Sequence, residues 1–390
     1  MEMSNKYSLQ QVALATCILT RTPVMLWGQP GVGKTAVLNE IARQYSMHME
    51  TVILSQREPG DLLGIPYIYE GEMRVSVPDF ARRIFEKESE GQSSILFLDE
   101  YSTAPPSMQA ASLRLTAERV VGTGIKLPAS TVIVAAANPP SIASGGFAIT
   151  PPAANRFIHL PWDMPLEVLL SGLEGEWAKV SMPIAPQGWK NALKNAKSLV
   201  AAFLAGKRSQ SYVSASLDSL ESAASLTGNF KPSDLGFPSP RMWVDYVSPV
   251  VAVCLFGSVK QGKIPVGVIR LLVEGCVGEA ISNEFLAFLS QLDLPNPVPV
   301  LEGKAKWTPA PNMRPDVISA ISRSFVKAYL DNPGVDSWVR LGSVLADIAQ
   351  NNPDIALPQI KQWLGARPEG ALPPRKAVEK IVPYLDAIEG

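Results

Sequence analysis

Apolar residues in the first 160 positions follow two periods, one typical of buried strands and the other of helices. Four short, nearly continuous apolar runs predict strands buried on both faces of a sheet: VMLW from residue 24, TVILS from 51, ILFLDE from 95 and TVIVAAA from 131. Between these runs apolar residues recur every three or four positions, which predicts helices at 9–19, up to about 45, 80–90 and 107–118. Strands that alternate with helices indicate an α/β fold with a parallel sheet.

Two further segments predict short antiparallel ribbons between these elements. PYIYEGEMRVSV, from residue 66, alternates large side chains on both faces and predicts a hairpin that turns at Glu70-Gly71. VVGTGIKLP, from residue 120, predicts a shorter glycine-containing ribbon. We therefore place inserts at 65–78 and 119–128 within a core domain that spans 1–160.

Beyond Pro161 the strand signals largely vanish and helical patterns dominate. We predict a helical lid at 161–291, a proline-rich linker at 292–313 and a small helical C-terminal module at 314–390. In the module, two sets of apolar residues at helical spacing each line one helix face: Val317, Ile321, Phe325 and Tyr329, then Trp338, Leu341, Leu345 and Ile348.

Composition narrows the class of protein. With 46% hydrophobic and 18% charged residues the chain reads as globular, and a net charge of −1 gives no bulk reason to bind nucleic acid or an acidic membrane. The longest apolar stretch is too short for a membrane span and contains a proline, and the N-terminus has no signal pattern. Three cysteines without metal spacing, and two histidines, predict buried structural side chains in a reducing compartment, so we expect a cytoplasmic protein without membrane partners.

The segment GQPGVGKTA follows the first predicted strand and precedes a helix. Its spacing, Gly28-x4-Gly33-Lys34-Thr35, is the phosphate-binding loop pattern. Lys34 is expected to reach the β- and γ-phosphates, and the Thr35 hydroxyl to bind Mg²⁺, while backbone N–H groups cradle the anion. The predicted nucleotide-binding residues are Gly28, Pro30, Gly31, Val32, Gly33, Lys34, Thr35 and Ala36. The sequence thus predicts a site for a nucleoside triphosphate.

Polar residues follow two other predicted strands. Asp99 and Glu100 end the third strand, where Asp99 would hold Mg²⁺ near Thr35 and Glu100 would polarise the attacking water. Asn138 follows the fourth strand, and it either positions water or senses the γ-phosphate, or simply starts an Asn-Pro turn.

Two arginines stand alone between turn residues, Arg156 in PPAANRF and Arg241 in PSPRMW. Each is either a surface charge or a stabiliser of phosphate charge. In the second case one would come from a neighbouring subunit and the other from the helical domain.

Taken together, GQPGVGKT, DLLG, ILFLDE, AAANPP, NRF and SPR form a specific set of motifs. The chain resembles the AAA+ ATPases, and within them the MoxR group, most clearly over 1–160. It is most similar to MoxR-type ATPases encoded beside a protein with a von Willebrand factor A-like domain, as LDEYSTAPPSMQAASLRL and GGFAITPPAANRFIHLPW indicate. The resemblance implies a P-loop AAA+ sheet, with Walker A and Walker B motifs, followed by a helical lid.

The resemblance also implies roles for single residues. Asn138 would be sensor one, Arg156 an arginine finger acting in trans and Arg241 sensor two, and the two inserts would face the pore of a ring or its client. Many MoxR proteins have an Asn-Arg pair two residues after the acidic pair, where this chain has Ser102 and Thr103. Arg114 and Arg119 are then alternative sources of contacts across subunits, unless they are surface charges of a helix.

The expected function is that of a chaperone-like, ring-forming ATPase, a hexamer by resemblance. It would use Mg²⁺ and ATP to remodel a protein client or a metalloenzyme, with a von Willebrand factor A-like protein as partner. Tyr67 and Tyr69 of the hairpin are the predicted client contacts. A nucleic-acid motor is the weaker alternative, because the hairpin carries one basic and two acidic residues. A slow ATP-dependent switch is the second alternative. Glu100 argues against it, because a switch does not need efficient hydrolysis.

Overall fold

The computed structural model describes residues 2–122, 124–140, 146–175, 179–207, 209–214, 230–260, 262–290, 297–310, 313 and 315–387. Parts of the predicted inserts, lid, linker and module therefore lie outside the described residues, namely 123, 176–178, 208, 215–229, 261, 291–296, 311–312, 314 and 388–390. The chain divides into two compact units, Met1–Leu193 with Gln210–Asn283 and Lys194–Ser209 with Glu284–Gly390, which are described separately. None of the helices in the described ranges is long and apolar enough to cross a membrane.

The first unit contains every strand assigned in the described residues. They are β1 (Val24–Trp27), β2 (His48–Ile53), β3 (Pro66–Tyr69), β4 (Glu72–Val75), β5 (Ser94–Asp99), β6 (Val120–Val121), β7 (Ile125–Lys126), β8 (Val132–Ala137) and β9 (Ile158–Pro161). Five of them form a parallel sheet in the order β2-β5-β8-β1-β9. The carboxyl ends of β1, β5 and β8 consequently meet at one edge, on either side of the point where the strand order reverses.

Helices surround this sheet. Those of the first unit are α1 (Glu2–Thr20), α2 (Lys34–Gln44), α3 (Pro59–Leu63), α4 (Asp79–Ser89), α5 (Pro106–Glu118), α6 (Pro151–Ala154), α7 (Leu166–Leu173), α9 (Ser248–Phe256) and α10 (Val266–Val277). A π-helix, Met242–Val247, precedes α9, and both α8 (Trp189–Lys207) and α11 (Glu279–Ser290) have residues in each unit. Strand residues on both faces are buried, for example Met25 and Leu26, and this confirms the predicted α/β sheet with helices on both faces.

Strand β2 begins three residues before the predicted run, because a buried charge is neutralised there. Glu50 is only 7% exposed, and its two carboxylate oxygens accept hydrogen bonds from Arg83 at 2.9 and 2.7 Å. His48 lies 3.3 Å from the same carboxylate. The bidentate ion pair allows the charged Glu50 to be buried within β2. The first residues of this edge strand are therefore not apolar, and apolar periodicity does not predict them.

Both predicted ribbons are present. Strands β3 and β4 form an antiparallel hairpin in which Tyr67 pairs with Arg74 and Ile68 with Met73. Glu70 and Gly71 have φ values of 51° and 80° at its turn, the left-handed conformations that a tight two-residue hairpin turn requires. In the second ribbon, β6 pairs with β7.

The second unit is helical, as predicted for the C-terminal part. Its remaining helices are α12 (Pro297–Leu301), α13 (Pro315–Asp331), α14 (Val335–Ala349), α15 (Pro353–Gly365) and α16 (Arg375–Ile381). Trp338 and Trp363 stack with centroids 4.6 Å apart, and each indole N–H donates to the other residue's carbonyl at 2.9 Å. Gly342 permits this packing, because a Cβ there would come within 2.3 Å of Trp363. Within the predicted linker, α12 is helical and buries Val300 and Leu301 in the same core.

Candidate functional site

The loop between β1 and α2 has the geometry of an anion cradle. Gly28 lies so close to the neighbouring strand that a Cβ would come within 2.2 Å of the Trp162 carbonyl oxygen. Gly31 and Gly33 have φ values of 80° and 81°, and α2 begins at Lys34. Because the first N–H groups of a helix have no acceptor within it, they are free to bind an anion at this point.

The ammonium group of Lys34 closes the loop. It donates to the carbonyl oxygens of Gly28 at 2.7 Å and Gln29 at 3.1 Å, and to Asn138 Oδ1 at 3.0 Å. Burial lowers the pKa of Lys34, and the charge of Asp99 opposes that shift. A partly buried ammonium whose pKa is lowered by burial is well placed to receive further negative charge.

The acidic pair lies beside the loop. Burial raises the pKa of Asp99, the N–H of Glu100 lowers it by donating to Asp99 Oδ1 at 2.8 Å, and the charge of Glu100 raises it further. Glu100 has a φ of 56°, in the left-handed region, and its side chain is exposed at the sheet edge. The hydroxyl of Ser55, which follows β2, donates to Glu100 Oε2.

Ser55 and Ser102 are polar neighbours that the sequence did not point to. The backbone N–H of Asn138 donates to the Ser102 hydroxyl at 3.0 Å, so this buried serine fixes the start of the segment that carries the asparagine. Ser102 occupies one of the two positions at which the sequence departs from the MoxR pattern. The available signal was topological: a polar residue just after a parallel strand lies at the edge where the other strands also end.

Two cavities adjoin the loop. The first has a volume of about 390 Å³ and is lined by Pro30–Ala36, Asp99, Glu100, Ala136 and Asn138. The second, of about 590 Å³, shares Gly31, Gly33 and Ala36 with the first. Its other lining residues are Tyr7, Gln11, Val37, Glu40, Arg43, Met164, Val168, Leu169, Gly175, Lys179 and Val180. Pro30–Ala36 thus share one cavity with Asp99, Glu100 and Asn138, whereas Gly28 is not part of its lining, and a larger pocket opens beside it.

Arg156 and Arg241 do not line either cavity. Arg156 follows α6, its guanidinium donates to the Pro152 carbonyl, and its own carbonyl accepts from Tyr246 Oη at 2.9 Å. Burial lowers the pKa of Arg156, and the nearby charge of Arg241 lowers it further. The charge of Arg241 thus reaches Arg156, and neither arginine contributes to the lining of the cavities around the loop.

Arg119 is a structural residue rather than a free surface charge. Its guanidinium donates to the carbonyl oxygens of Thr131 at 3.0 Å and Arg21 at 2.6 Å. Arg114 is exposed and lies 3.6 Å from Glu118. Of these two arginines only Arg114 presents its charge at the surface.

The hairpin presents its largest apolar side chains to solvent. Ile68 and Met73, which pair across the two strands, are each 80% exposed, whereas Tyr67 and Tyr69 are about half exposed. Arg74 lies over the Tyr69 ring, with its guanidinium carbon 4.7 Å from the ring centroid. The aliphatic pair is thus the more exposed apolar surface, whereas the sequence predicts Tyr67 and Tyr69 as the client contacts.

Comparisons with known proteins show which proteins and which domain family parts of this chain are similar to. No curated protein matches the chain. Among solved structures, a candidate ATPase of Cytophaga hutchinsonii is similar at 17% identity over 72% of this chain and 91% of its own, with a TM-score of 0.41. A full-length MCM homolog of Methanopyrus kandleri is similar at 15% identity over 71% of this chain and 53% of its own, with a TM-score of 0.33.

The sequence itself also matches a domain family over about a third of its length. The matched segment contains β1 to β8 and every lining residue of the cavity around Lys34, and with β9 its strands form the predicted α/β sheet with flanking helices. Residues 23–157, which carry the phosphate loop and the acidic pair, match the AAA domain of the dynein-related subfamily.

Proposed function

We propose that the chain is an ATPase that hydrolyses Mg²⁺-ATP at the loop between β1 and α2 and uses this reaction to remodel a protein client. The observation that carries the proposal is the meeting of Lys34, Asp99, Glu100 and Asn138 around one cavity, with Lys34 Nζ bonded to Asn138 Oδ1 at 3.0 Å. A cation, a metal-binding carboxylate, a base and an amide are the groups that phosphoryl transfer to water requires.

The β- and γ-phosphates fit the cradle formed by Gly31, Gly33 and the first turn of α2. Their oxygens would accept from backbone N–H groups and from Lys34, in place of the carbonyl oxygens that Lys34 now contacts. A phosphate offsets the burial that lowers the pKa of Lys34, so both groups keep their charge.

Thr35 and Asp99 fit Mg²⁺, which binds through one or two protein oxygens together with substrate phosphates. Within the described ranges no group of three or more His, Cys, Asp or Glu residues is placed to hold a metal, so we expect the ion to enter with the nucleotide. Burial raises the pKa of Asp99, and a cation beside this carboxylate would stabilise its charged form. Bound Mg²⁺ supplies neutralisation of phosphate charge.

Glu100 is the expected general base. Its exposed carboxylate lines the phosphate cavity, where it would accept a hydrogen bond from the attacking water and increase the nucleophilicity of that water. The hydroxyl of Ser55 holds one carboxylate oxygen, which leaves the other to act on water. Asn138, which follows the neighbouring parallel strand β8, would orient the same water or the γ-phosphate.

The larger cavity suits the nucleoside. Tyr7 and Gln11 line it, and they form a side-chain hydrogen bond that opposes the rise of the Tyr7 pKa caused by burial. The aromatic ring and the apolar side chains of Val168 and Val180 offer surface to a base, and the Gln11 amide offers a donor and an acceptor to its polar edge. We assign adenine to this cavity.

A ring would give both arginines a nucleotide to act on, since neither lines the cavities beside the loop of its own chain. Arg156 and Arg241 lie close to each other, so both would act on the nucleotide of a neighbouring subunit in a homo-oligomer. This assignment places Arg241 in trans, whereas sequence reasoning drew it from the helical domain. By resemblance the ring is a hexamer.

The hairpin is the proposed contact with the client. Tyr67, Ile68, Tyr69 and Met73 give it an exposed mixed aromatic and aliphatic surface that no local core requires. Arg74, its single basic residue, lies 3.7 Å from Glu72, which disfavours tracking along a phosphate backbone. We therefore favour a protein client or metalloenzyme, in concert with a von Willebrand factor A-like partner, over a nucleic-acid motor. Glu100 favours turnover over a slow switch.

Steady-state ATP hydrolysis by the purified chain, with sedimentation in a non-hydrolysable ATP analogue, tests the proposal. We expect Mg²⁺-dependent turnover that rises as rings assemble, and Lys34→Ala should abolish it together with ATP binding. Hydrolysis stimulated by single-stranded DNA would instead support the nucleic-acid motor. Absence of turnover at every protein concentration, even with the client present, would support the switch.

A further inference from the structure

His159 joins the strand that precedes the phosphate loop to the segment that carries Arg156. The indole Nε1–H of Trp27 donates to His159 Nδ1 at 3.0 Å. Because Nδ1 accepts this bond, the neutral ring carries its proton on Nε2, which donates to the Ala154 carbonyl oxygen at 3.0 Å. The imidazole is 1% exposed, so these two bonds satisfy both of its nitrogens.

We call the two hydrogen bonds of His159, from Trp27 and to Ala154, the relay. Its two ends adjoin the phosphate loop and Arg156, the two parts of the chain whose positions the proposed reaction depends on. Trp27 is the last residue of β1, directly before Gly28, and its carbonyl accepts from the Trp162 N–H at 2.7 Å. Ala154 is the last residue of α6, and the N–H of Arg156 donates to the Ala153 carbonyl oxygen at 3.1 Å. A single side chain therefore connects the start of the phosphate loop with the base of the arginine.

The site of His159 leaves it little freedom to move. Its backbone packs so tightly on α10 that a Cβ on Gly275 would come within 2.3 Å of the His159 carbonyl oxygen. A phenylalanine or leucine could fill the same apolar space, but neither could satisfy the indole N–H of Trp27. The hydrogen bonds of the imidazole thus fix the relative positions of Trp27 and Ala154, whereas an apolar side chain would only fill the space between them.

We propose that His159 is a positioning residue that holds the Arg156 segment in register with the phosphate loop of the same subunit. In a ring, that loop completes one active site and Arg156 completes the next. His159 would then couple the nucleotide held by a subunit to the arginine that this subunit offers to its neighbour. The inference rests on the proposed function, specifically on an arginine that acts in trans.

Mixed rings test this inference, because they separate the loop of a subunit from its arginine. The reference mixture combines Arg156→Ala with Lys34→Ala subunits, in which an intact loop meets an intact arginine only across the two variants. Its recovery of hydrolysis, with co-assembly verified by sedimentation, tests the arrangement in trans independently of His159. If co-assembled rings fail to recover activity, the proposed arginine in trans is wrong and the inference falls with it.

His159→Phe is then mixed with each reference variant in turn. With Lys34→Ala subunits we expect recovery near the reference level, because the His159→Phe loop receives an intact arginine. With Arg156→Ala subunits we expect at least about tenfold less recovery, because misplacement of a reacting group by about 1 Å can cost about a hundredfold in rate. Equal recovery in both mixtures, or the reverse order, would overturn the inference, since a purely structural defect has no such direction.

His159→Gln provides the conservative variant and replaces His159→Phe if that protein does not assemble. Its amide can still donate toward Ala154 while it loses the bond from Trp27. We expect recovery with Arg156→Ala subunits between the values for the parent chain and for His159→Phe, and about threefold or more below the parent. A value equal to the parent would show that the relay from Trp27 has no role.

Discussion

Lys34 and Asn138 are 104 positions apart in sequence, and a hydrogen bond of 3.0 Å joins the ammonium of one to the amide oxygen of the other. The bond exists because β1 and β8 are adjacent parallel strands, so the residues that follow them share one edge of the sheet. The same edge receives Asp99 and Glu100 from β5, the strand on the far side of β8. The proposed chemistry depends on this adjacency.

Replacing Asn138 should therefore impair turnover more than binding. We expect Asn138→Ala to lower kcat about a hundredfold, the typical cost of losing one polar group that stabilises the transition state, with KM for ATP within about threefold. Steady-state kinetics give both values. Asn191→Ala, at an exposed helical asparagine, is the matched control and should match the parent. A rise in KM at unchanged kcat would restrict Asn138 to binding.

Ser55 should affect kcat by orienting the carboxylate of Glu100. Loss of its hydroxyl removes the hydrogen bond that orients the carboxylate, and we expect Ser55→Ala to lower kcat about tenfold, equivalent to ~1.4 kcal/mol, without weakening ATP binding. Ser130→Ala removes a similar serine–glutamate bond, to Glu88, far from the cavity and should leave kcat unchanged. If the two alanine variants have equal kcat values, Ser55 does not position the base.

The exposed apolar surface of the hairpin should serve the client and not the ATPase reaction. We expect the double variant Ile68→Ser, Met73→Ser to keep basal hydrolysis and ring assembly while it abolishes stimulation by client, and Tyr67→Ala with Tyr69→Ala to do the same. Val266→Ser, which removes an exposed valine that is not part of the hairpin, is the control for lost apolar surface. Reduced basal activity or solubility in the hairpin variants would assign these side chains to the core.

The buried His159 should make the first unit sensitive to acid. Burial lowers its pKa to about 4, from an ordinary value of 6.5. Between those values the unfolded chain binds a proton that the folded chain does not, so stability is present above pH 6.5 and falls as pH decreases toward 4. The loss is about 3 kcal/mol, because each unit of pKa shift corresponds to ~1.4 kcal/mol.

Urea unfolding at several pH values measures this loss. His159→Gln should show a smaller decrease in unfolding free energy between pH 6.5 and 4 than the parent. His48→Gln is the control, and because it retains His159 its decrease should match that of the parent. A parent chain whose pH dependence matches that of His159→Gln would contradict a neutral buried imidazole.

Contiguous motifs and apolar periodicity were enough to predict the sheet, the glycine-rich loop between β1 and α2 and the position of the acidic pair at the end of β5. Gly28 to Thr35 is a local pattern, and the apolar runs around it report burial directly. Ser55 and Gln11 were not predicted from the sequence, because their positions beside the loop depend on which distant elements pack there, and one sequence carries no signal of that adjacency. The start of β2 escaped because Glu50 is buried by an ion pair with Arg83. The exposure of Ile68 and Met73 likewise depends on the tertiary packing of the hairpin, which its alternating sequence does not reveal.

The most direct test of the central claim compares ATP binding and single-turnover hydrolysis in the parent chain and Glu100→Gln. The amide fills the same space as the carboxylate but cannot act as a base, so we expect unchanged affinity for Mg²⁺-ATP and at least about a hundredfold slower hydrolysis. The ATP-loaded variant should also retain client. Hydrolysis by Glu100→Gln at the parent rate would contradict the assignment of the catalytic centre to this cavity.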